Sequence, residues 1–262
     1  MKYLGKKIII IDNSNLSYSG DDLNGSIIRG TETSLILLAE QFVKMGIEVD
    51  YCNCIEIIKK VNGVNYFNKD NINMSKIYDL AIAISDANEF KRVSSIKKAI
   101  FSNSNQPFEK FIRKKQLIPF LKYKPTLITL CDYQFKERSF FTSFYGKKTI
   151  PITVDPKFLN IKIDKNHLPE RKVVYNIRSN RNLNLLIKIW CEKIYPINKE
   201  FKLYITPGLL EYKDYHLKNN IFLRTIGSRS EMIDELKNYR ALTYLGHKSD
   251  IFTLTAEEAI KL

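Results

Sequence analysis

Tyr239–Leu262, YRALTYLGHKSDIFTLTAEEAIKL, is the stretch on which the reading of the whole chain turns. Ala241–Leu245 is a short β-prone run that ends in a polar turn, Gly246-His247-Lys248-Ser249. Asp250 and the apolar pair Ile251-Phe252 follow, and Thr255 then opens a helix that carries Glu257 and Glu258. Thr255 and Glu258 have capping-box spacing, which aims the N–H groups of the first turn back toward Asp250. A helix start of this kind attracts phosphate, because unpaired N–H groups and the helix dipole both favour an anion. Two carboxylates and free amides around one helix start suit a ligand with both hydroxyls and phosphates, such as a sugar nucleotide. The plain alternative is that Glu258 merely closes a cap and Asp250 rides on a solvated turn.

Moving upstream, Lys172–Ile177 is an apolar strand, and Arg178-Ser179-Asn180-Arg181 leaves its end. A helix follows, with Leu183, Leu185, Leu186, Ile189 and Trp190 as its apolar stripe. Two guanidiniums between a strand end and a helix start suit phosphate by charge and by forked geometry. Two solvated loop arginines are the alternative. Phe201–Ile205 with Gly208, and Ile221–Thr225 with Gly227, read as further strands and turns. Glu231–Tyr239 reads as a helix.

The first half begins with Lys6–Ile11, a continuous branched run that reads as a buried strand, and Asp12–Asn15 leaves it as a loop. Ser17–Gly25 is polar and glycine-containing, which predicts a mobile loop. Gly30-Thr31-Glu32 opens a helix with Leu35, Leu38, Ala39, Phe42 and Val43 at helical spacing; Gly46 ends it, and Ile47–Cys52 is the next strand. Strand, loop, helix and strand make the building block of a parallel sheet. The full glycine fingerprint of a dinucleotide site is missing, so no Rossmann cofactor is expected. Tyr78–Ser85, Lys97–Ser102 and Pro125–Cys131 read as strands, Asp132–Phe144 as a helix, and Ile150–Val154 closes this half. Asp86 stands at the end of one of these strands. Phe158–Arg171 is polar and irregular, the place of an interdomain linker. The expected division is a first domain over 1–158, a linker over 159–171 and a second domain over 172–262.

With 262 residues and 44% hydrophobic residues, the chain is long and apolar enough for well-formed cores. No apolar run approaches the roughly 20 residues needed to cross a bilayer. The four cysteines show neither zinc spacing nor disulfide density, and three scattered histidines give no metal cluster. A reducing cytosol is the expected setting. The net charge of +14 is the outlier, and it implies an anionic partner without choosing among nucleic acid, phosphate-rich substrate and acidic lipid. Pro107–Lys124 concentrates that charge: Phe108, Phe111, Ile112 and Phe120 alternate with Lys110, Arg113, Lys114, Lys115, Lys122 and Lys124. An ordinary helix with a solvated face, an anionic-membrane contact and a nucleic-acid patch all fit it.

The segment DIFTLTAEEA resembles the signature of the family-four retaining glycosyltransferases of the GT-B fold. In that signature a Glu, any residue and Phe-Gly-Leu precede a second Glu eight places after the first. Here Asp250 replaces the first Glu, Phe252 and Leu254 match, Thr253 replaces Gly, and Glu258 matches. Other pieces resemble the family in the same order. Arg29-Gly30-Thr31-Glu32 stands for a Gly-Gly-x-Glu turn, and Ile150–Asp155 for an Ile-Pro-x-x-Val-Asp segment. Arg178 and Arg181 stand for its diphosphate cations, with Asn182 where glycine is usual.

The resemblance implies an α/β chain of two Rossmann-like domains with parallel sheets facing a cleft, the second shortened at its C-terminal end. It implies a metal-independent glycosyltransferase that takes a nucleoside-diphosphate sugar, uses no cofactor, and acts on a glycan or lipid-linked acceptor with retention. Arg178, Arg181 and Asp250 would carry the catalytic roles. Glu258, Gly30, Thr31, Phe252, Thr253 and Leu254 would face the donor, and Asp86 the acceptor. A cytoplasmic protein, peripheral at an anionic membrane through residues 107–124, is the expectation, and nucleic acid is not the expected partner. Two alternatives stand beside it: an inactive glycosyltransferase-like binding protein, and a basic nucleic-acid-binding protein, whose binding would weaken steeply with salt.

Overall fold

The computed structural model describes residues 3–25, 28, 30–103, 107–136, 140–151, 154–159, 161, 168–176, 181–205, 219–224, 228–246 and 254–261. Two compact units divide the chain: Met1–Leu23 with Ile28–Thr153, and Asn24–Ile27 with Val154–Leu262.

The first unit is built on an eight-stranded sheet: β1 Lys7–Ile11, β2 Glu48–Asn53, β3 Lys59–Val61, β4 Val64–Asn68, β5 Ile77–Ile84, β6 Ser94–Ser102, β7 Thr126–Thr129 and β8 Lys147–Thr149. Their spatial order is β3-β4-β2-β1-β5-β6-β7-β8. Every neighbouring pair is parallel except β3 and β4. β1 sits in the middle, with Ile9 opposite both Asp50 and Ala81. Both faces of a parallel sheet are covered, so the strand needs apolar residues at every position, and Ile8–Ile11 supplies them. Ile9 and Ile11 join a core with Phe90, Phe111, Phe120 and Leu127.

Helix α2, Gly30–Lys44, follows the short turn α1, Asp22–Gly25, and packs on β2 and β4, burying Leu35, Ile36 and Ala39. Gly46 ends it in a left-handed conformation (φ 84°). Its N–H donates to the Val43 carbonyl and that of Ile47 to Phe42, the two bonds of a Schellman cap.

Three sequence expectations are corrected in this unit, and a hairpin that none of them covered is added. The segment at 17–25 is no mobile loop: Tyr18 and Ser19 are buried, and Tyr18 is fastened to Asp12 and Tyr51. The stretch between β2 and β5 holds a hairpin, β3–β4, turned by Asn62 (φ 48°) and Gly63 (φ 85°), the left-handed pair of a type I′ turn. Residues 107–124 form two helices, α3 Phe108–Arg113 and α4 Leu117–Tyr123, separated where Lys115 takes φ 53°. Instead of one helix over 132–144 there are a short α5, Tyr133–Lys136, and a 3-10 turn at Phe140–Ser143.

The second unit carries β9 Lys172–Tyr175, β10 Lys202–Ile205, β11 Ile221–Leu223 and β12 Ala241–Leu242, all parallel in the order β11-β10-β9-β12. α6 Pro156–Leu159 precedes them; α7 Leu183–Ile189 runs into a π turn at Trp190–Ile194; α8 Arg229–Leu236 and α9 Leu254–Ile260 follow. The core joins Val173, Tyr175, Leu186, Trp190, Leu203 and Ile221. Trp190 is fully enclosed, and its indole N–H donates to the Asn219 carbonyl at 2.8 Å. α8 starts with a complete capping box between Ser228 and Glu231, so the helix expected from Glu231 begins earlier. α9 begins at Leu254, which puts Thr255 inside the first turn rather than at the cap.

Candidate functional site

The strand order places the candidate site of each unit. In the second unit β9 comes first in the chain, β10 and β11 add on one side of it, and β12 returns to its other side. The order therefore reverses between β9 and β12. In an open parallel sheet such a reversal leaves a crevice at the carboxyl ends of the two strands, where ligands bind.

The candidate residues leave these two strands. Arg181 follows β9, and its backbone carbonyl accepts the Tyr175 hydroxyl at 2.6 Å. Asn182, at the entry to α7, takes φ 62°, a conformation glycine adopts freely and asparagine tolerates. Its side-chain Nδ2 donates to the carbonyl of Gly246, the last described residue of the turn after β12. That bond ties the loop of β9 to the loop of β12 across the reversal. Gly246 is itself left-handed at φ 69°. Beyond this turn comes α9, where Leu254 and Glu258 are buried, Glu258 to 2% exposure. Arg178, Asp250, Phe252 and Thr253 lie outside the described residues.

A second group at these strand ends went unread in the sequence. Arg224, just past β11, is 8% exposed. Its Nε donates to Glu235 Oε1 at 2.9 Å, its Nη2 to Glu235 Oε2 and its Nη1 to Asn176 Oδ1. Asn176 is the residue that leaves β9. Burial raises the Glu235 carboxyl, but hydrogen bonds from Arg224 and from Tyr239 outweigh it and hold the group below its ordinary value. This fork of charge-assisted bonds fixes the start of the β9 loop from two strands away.

In the first unit the order reverses between β1 and β5. Thr31, in the first turn of α2, meets Asn103 past β6, whose Nδ2 lies 3.5 Å from Thr31 Oγ1. The Ser85 hydroxyl donates to Asn103 Oδ1 at 2.9 Å. Gly30 is the first residue of α2. Asp86 accepts from the Asn88 backbone N–H and side-chain amide, both at 2.9 Å, and so caps a 3-10 helix at Ala87–Arg92. Thr31 and the Ser85-Asp86 corner are thus joined through Asn103, a residue no sequence pattern singled out. Beside them, Asp12 accepts from the Tyr18 hydroxyl, which lies 2.6 Å from that of Tyr51. Burial and the Asp12 charge push Tyr18 well above the ordinary tyrosine value, so this chain of hydroxyls stays protonated. Among the described residues no group of three or more His, Cys, Asp and Glu side chains is placed to hold a metal. No described helix is long and apolar enough to cross a membrane.

Known structures share this architecture over almost the whole chain. TarM superposes with a TM-score of 0.66 at 12% identity, covering 99% of this chain and 84% of its own. Sucrose-phosphate synthase from Thermosynechococcus elongatus gives 0.63 at 12%, covering 97% and 79%. The trehalose-6-phosphate protein from E. coli, bound with UDP-2-fluoro glucose, gives 0.63 at 11%, covering 98% and 81%. No family model matches the sequence. No curated protein matches it in sequence either. At these identities the likeness defines the fold: this is an α/β chain of the GT-B class, with the parallel sheets that class uses.

Proposed function

We propose that this protein transfers a sugar from a nucleoside-diphosphate sugar to a glycan or lipid-linked acceptor, with retention and without a metal ion. Arg178 and Arg181 take the diphosphate, Glu258 the ribose hydroxyls and Asp250 the hydroxyls of the transferred sugar. Phe252, Thr253 and Leu254 wall the donor, with Gly30 and Thr31 toward its phosphates, and Asp86 contacts the acceptor. In the reaction the bond from the anomeric carbon to the diphosphate breaks, and the acceptor oxygen bonds to the same face. The departing phosphate receives the acceptor's proton. Two guanidiniums supply the positive charge that a divalent cation would otherwise bring to the leaving group. A glycosidase would instead need two carboxylates flanking the scissile bond and a water.

The observation that carries the proposal is the Asn182–Gly246 bond at the reversal between β9 and β12, from which the candidate loops depart. The test is thermal unfolding with UDP, GDP, ADP and their sugars, repeated on Glu258→Gln and Arg178→Ala. A matching donor at about a hundred times its Kd stabilises the protein by about 2.7 kcal/mol. That gain is expected to vanish in both variants. Stabilisation by none of the nucleotides, or an equal gain in all three proteins, sinks the reading.

A further inference from the structure

We propose that Gln116 is a positioning residue: from the start of α4 it clamps the corner Ser85-Asp86-Ala87 in the shape that offers Asp86 to a hydroxyl-bearing acceptor. The clamp deepens the acceptor role proposed above for Asp86 and rests on it. The corner leaves β5 at the carboxyl end of the first sheet, beside the reversal of strand order where ligands bind. Ser85 takes φ 57° there, a left-handed conformation that is unfavourable for a residue with a Cβ. Backbone of this kind persists only where its surroundings over-determine it, and ligand sites are where it collects. Part of the constraint is the sheet itself, since the Ser85 N–H donates to the Phe101 carbonyl at 2.9 Å.

Gln116 supplies the rest by gripping the corner on both sides of Asp86. Its Oε1 accepts the Ala87 N–H at 3.1 Å, and its Nε2 donates to the Ser85 carbonyl at 3.4 Å. The side chain is 1% exposed. An apolar residue could fill the same space, but it would orphan an amide and a carbonyl that lie outside the sheet ladder. Lys115, at φ 53° between α3 and α4, lets both of its neighbours face this corner, for the Lys114 carbonyl accepts from Asn88 Nδ2 at 3.1 Å. Asn88 in turn gives both its backbone N–H and its amide to Asp86 Oδ1. Asp86 Oδ2 receives no bond from a described residue, and the side chain is half-buried. One oxygen of the carboxylate is thus held by the protein and the other keeps its lone pairs for a ligand hydroxyl.

Two variants of the full chain test the clamp. Gln116→Met keeps the length of the side chain and removes both bonds. Gln116→Glu keeps the acceptor and recovers the donor only while the introduced carboxyl is protonated. Backbone couplings and chemical shifts of the labelled protein report φ at Ser85. It is expected to be left-handed in the unmodified protein, to average toward negative values in Gln116→Met, and to return in Gln116→Glu on acidification. The functional arm follows nucleotide release from the donor that the unfolding panel selects, with D-glucose and N-acetyl-D-glucosamine as acceptor probes. Gln116→Met is expected to raise the KM of the sugar about tenfold, the worth of a weakened hydrogen bond to a charged group, at unchanged donor KM. Gln116→Glu should recover that KM as the pH falls. A Ser85 signature unchanged in both variants, or a displaced corner with an unchanged acceptor KM, overturns the inference. So does release that neither sugar stimulates in the unmodified protein. A chain that no nucleotide stabilises is a separate failure, that of the sugar-transfer reading, and the Ser85 signature does not depend on it. Should Gln116→Met fail to fold, Gln116→Glu compared at acid and neutral pH decides the matter alone.

Discussion

Asn182 separates the backbone requirement at the β9 loop from the hydrogen bond that ties it to β12. Replacing it with alanine removes the donor to the Gly246 carbonyl, a loss of about 1 kcal/mol. It also forces a Cβ-bearing residue without a polar side chain to hold φ 62°, a further cost of about 1–2 kcal/mol. The sum is about 2–3 kcal/mol for Asn182→Ala. Glycine loses the same bond but holds the backbone freely; its more flexible unfolded chain is partly offset by that relief, leaving about 1 kcal/mol. Urea unfolding of the three proteins measures the difference directly. The donor response divides them differently, because both variants lack the tie between the loops. If the tie shapes the diphosphate site, nucleotide-induced stabilisation shrinks in glycine and alanine alike, whereas stability falls mainly in alanine. Equal stability of the two variants would show that position 182 does not need the left-handed conformation. A full nucleotide response in Asn182→Gly would show that the bond across the reversal does nothing for the ligand.

Other outcomes follow from groups buried at the strand ends. Arg224→Met strips two hydrogen bonds from Glu235 and one from Asn176, and costs about 2–3 kcal/mol, moderated because Glu235 is part-exposed. Because Glu235 lies below its ordinary value in the folded protein, its contribution is present above the unfolded value and lost as pH falls through the folded one. Urea titrations across the acid range should show that loss in the unmodified protein and a smaller one in Arg224→Met, where the Tyr239 bond to Glu235 remains. Glu89 is the opposite case: burial raises its carboxyl, so proton binding favours the fold at low pH and that stability is lost as pH rises through the folded value. Glu89→Gln is therefore expected to be more stable than the unmodified protein at neutral pH, with the gap closing on acidification. Gly63→Ala meets two obstacles, φ 85° and a new Cβ placed 2.5 Å from Val43 Cγ1. It should cost about 2–4 kcal/mol in chemical denaturation, and a loss under 1 kcal/mol would contradict the hairpin turn.

What the sequence disclosed depended on whether the cause was local. Ile8–Ile11 is branched at every position because β1 is covered on both faces, and that is visible in the residues alone. Gly46 announced the end of α2 for the same reason, since only its own φ was at stake. The Asn62-Gly63 turn was equally local and could have been read. The break between α3 and α4 was not readable, because Lys115 carries no preference for φ 53° and is held there by the packing of Phe111 on Phe120. Tyr18 looked like loop because its partners, Asp12 and Tyr51, come from β1 and β2 and only the fold brings them together.

The candidate site divides along the same line. Its loops could be recognised one at a time, Arg181 after one strand and Glu258 on one helix, and Asn182 stood out where glycine is usual. What could not be seen is that β9 and β12 are neighbours, with Val173 opposite Ala241. Strand patterns fix where strands are; the order in which they are laid follows from how helices and connections cover the sheet. Only that order puts the β9 loop beside the β12 loop, and Arg224 shows how far it reaches. Its guanidinium crosses from the end of β11 to Asn176 at the end of β9, spanning β10 between them. A buried cation in that position holds the β9 loop, so on the proposed reading its loss should weaken nucleotide binding only as far as it loosens Asn176. The deficit of Arg224→Met should then stay nearly constant as nucleotide is raised, because both proteins gain almost equally from the ligand. A direct phosphate ligand, by contrast, would leave a deficit that grows with ligand concentration.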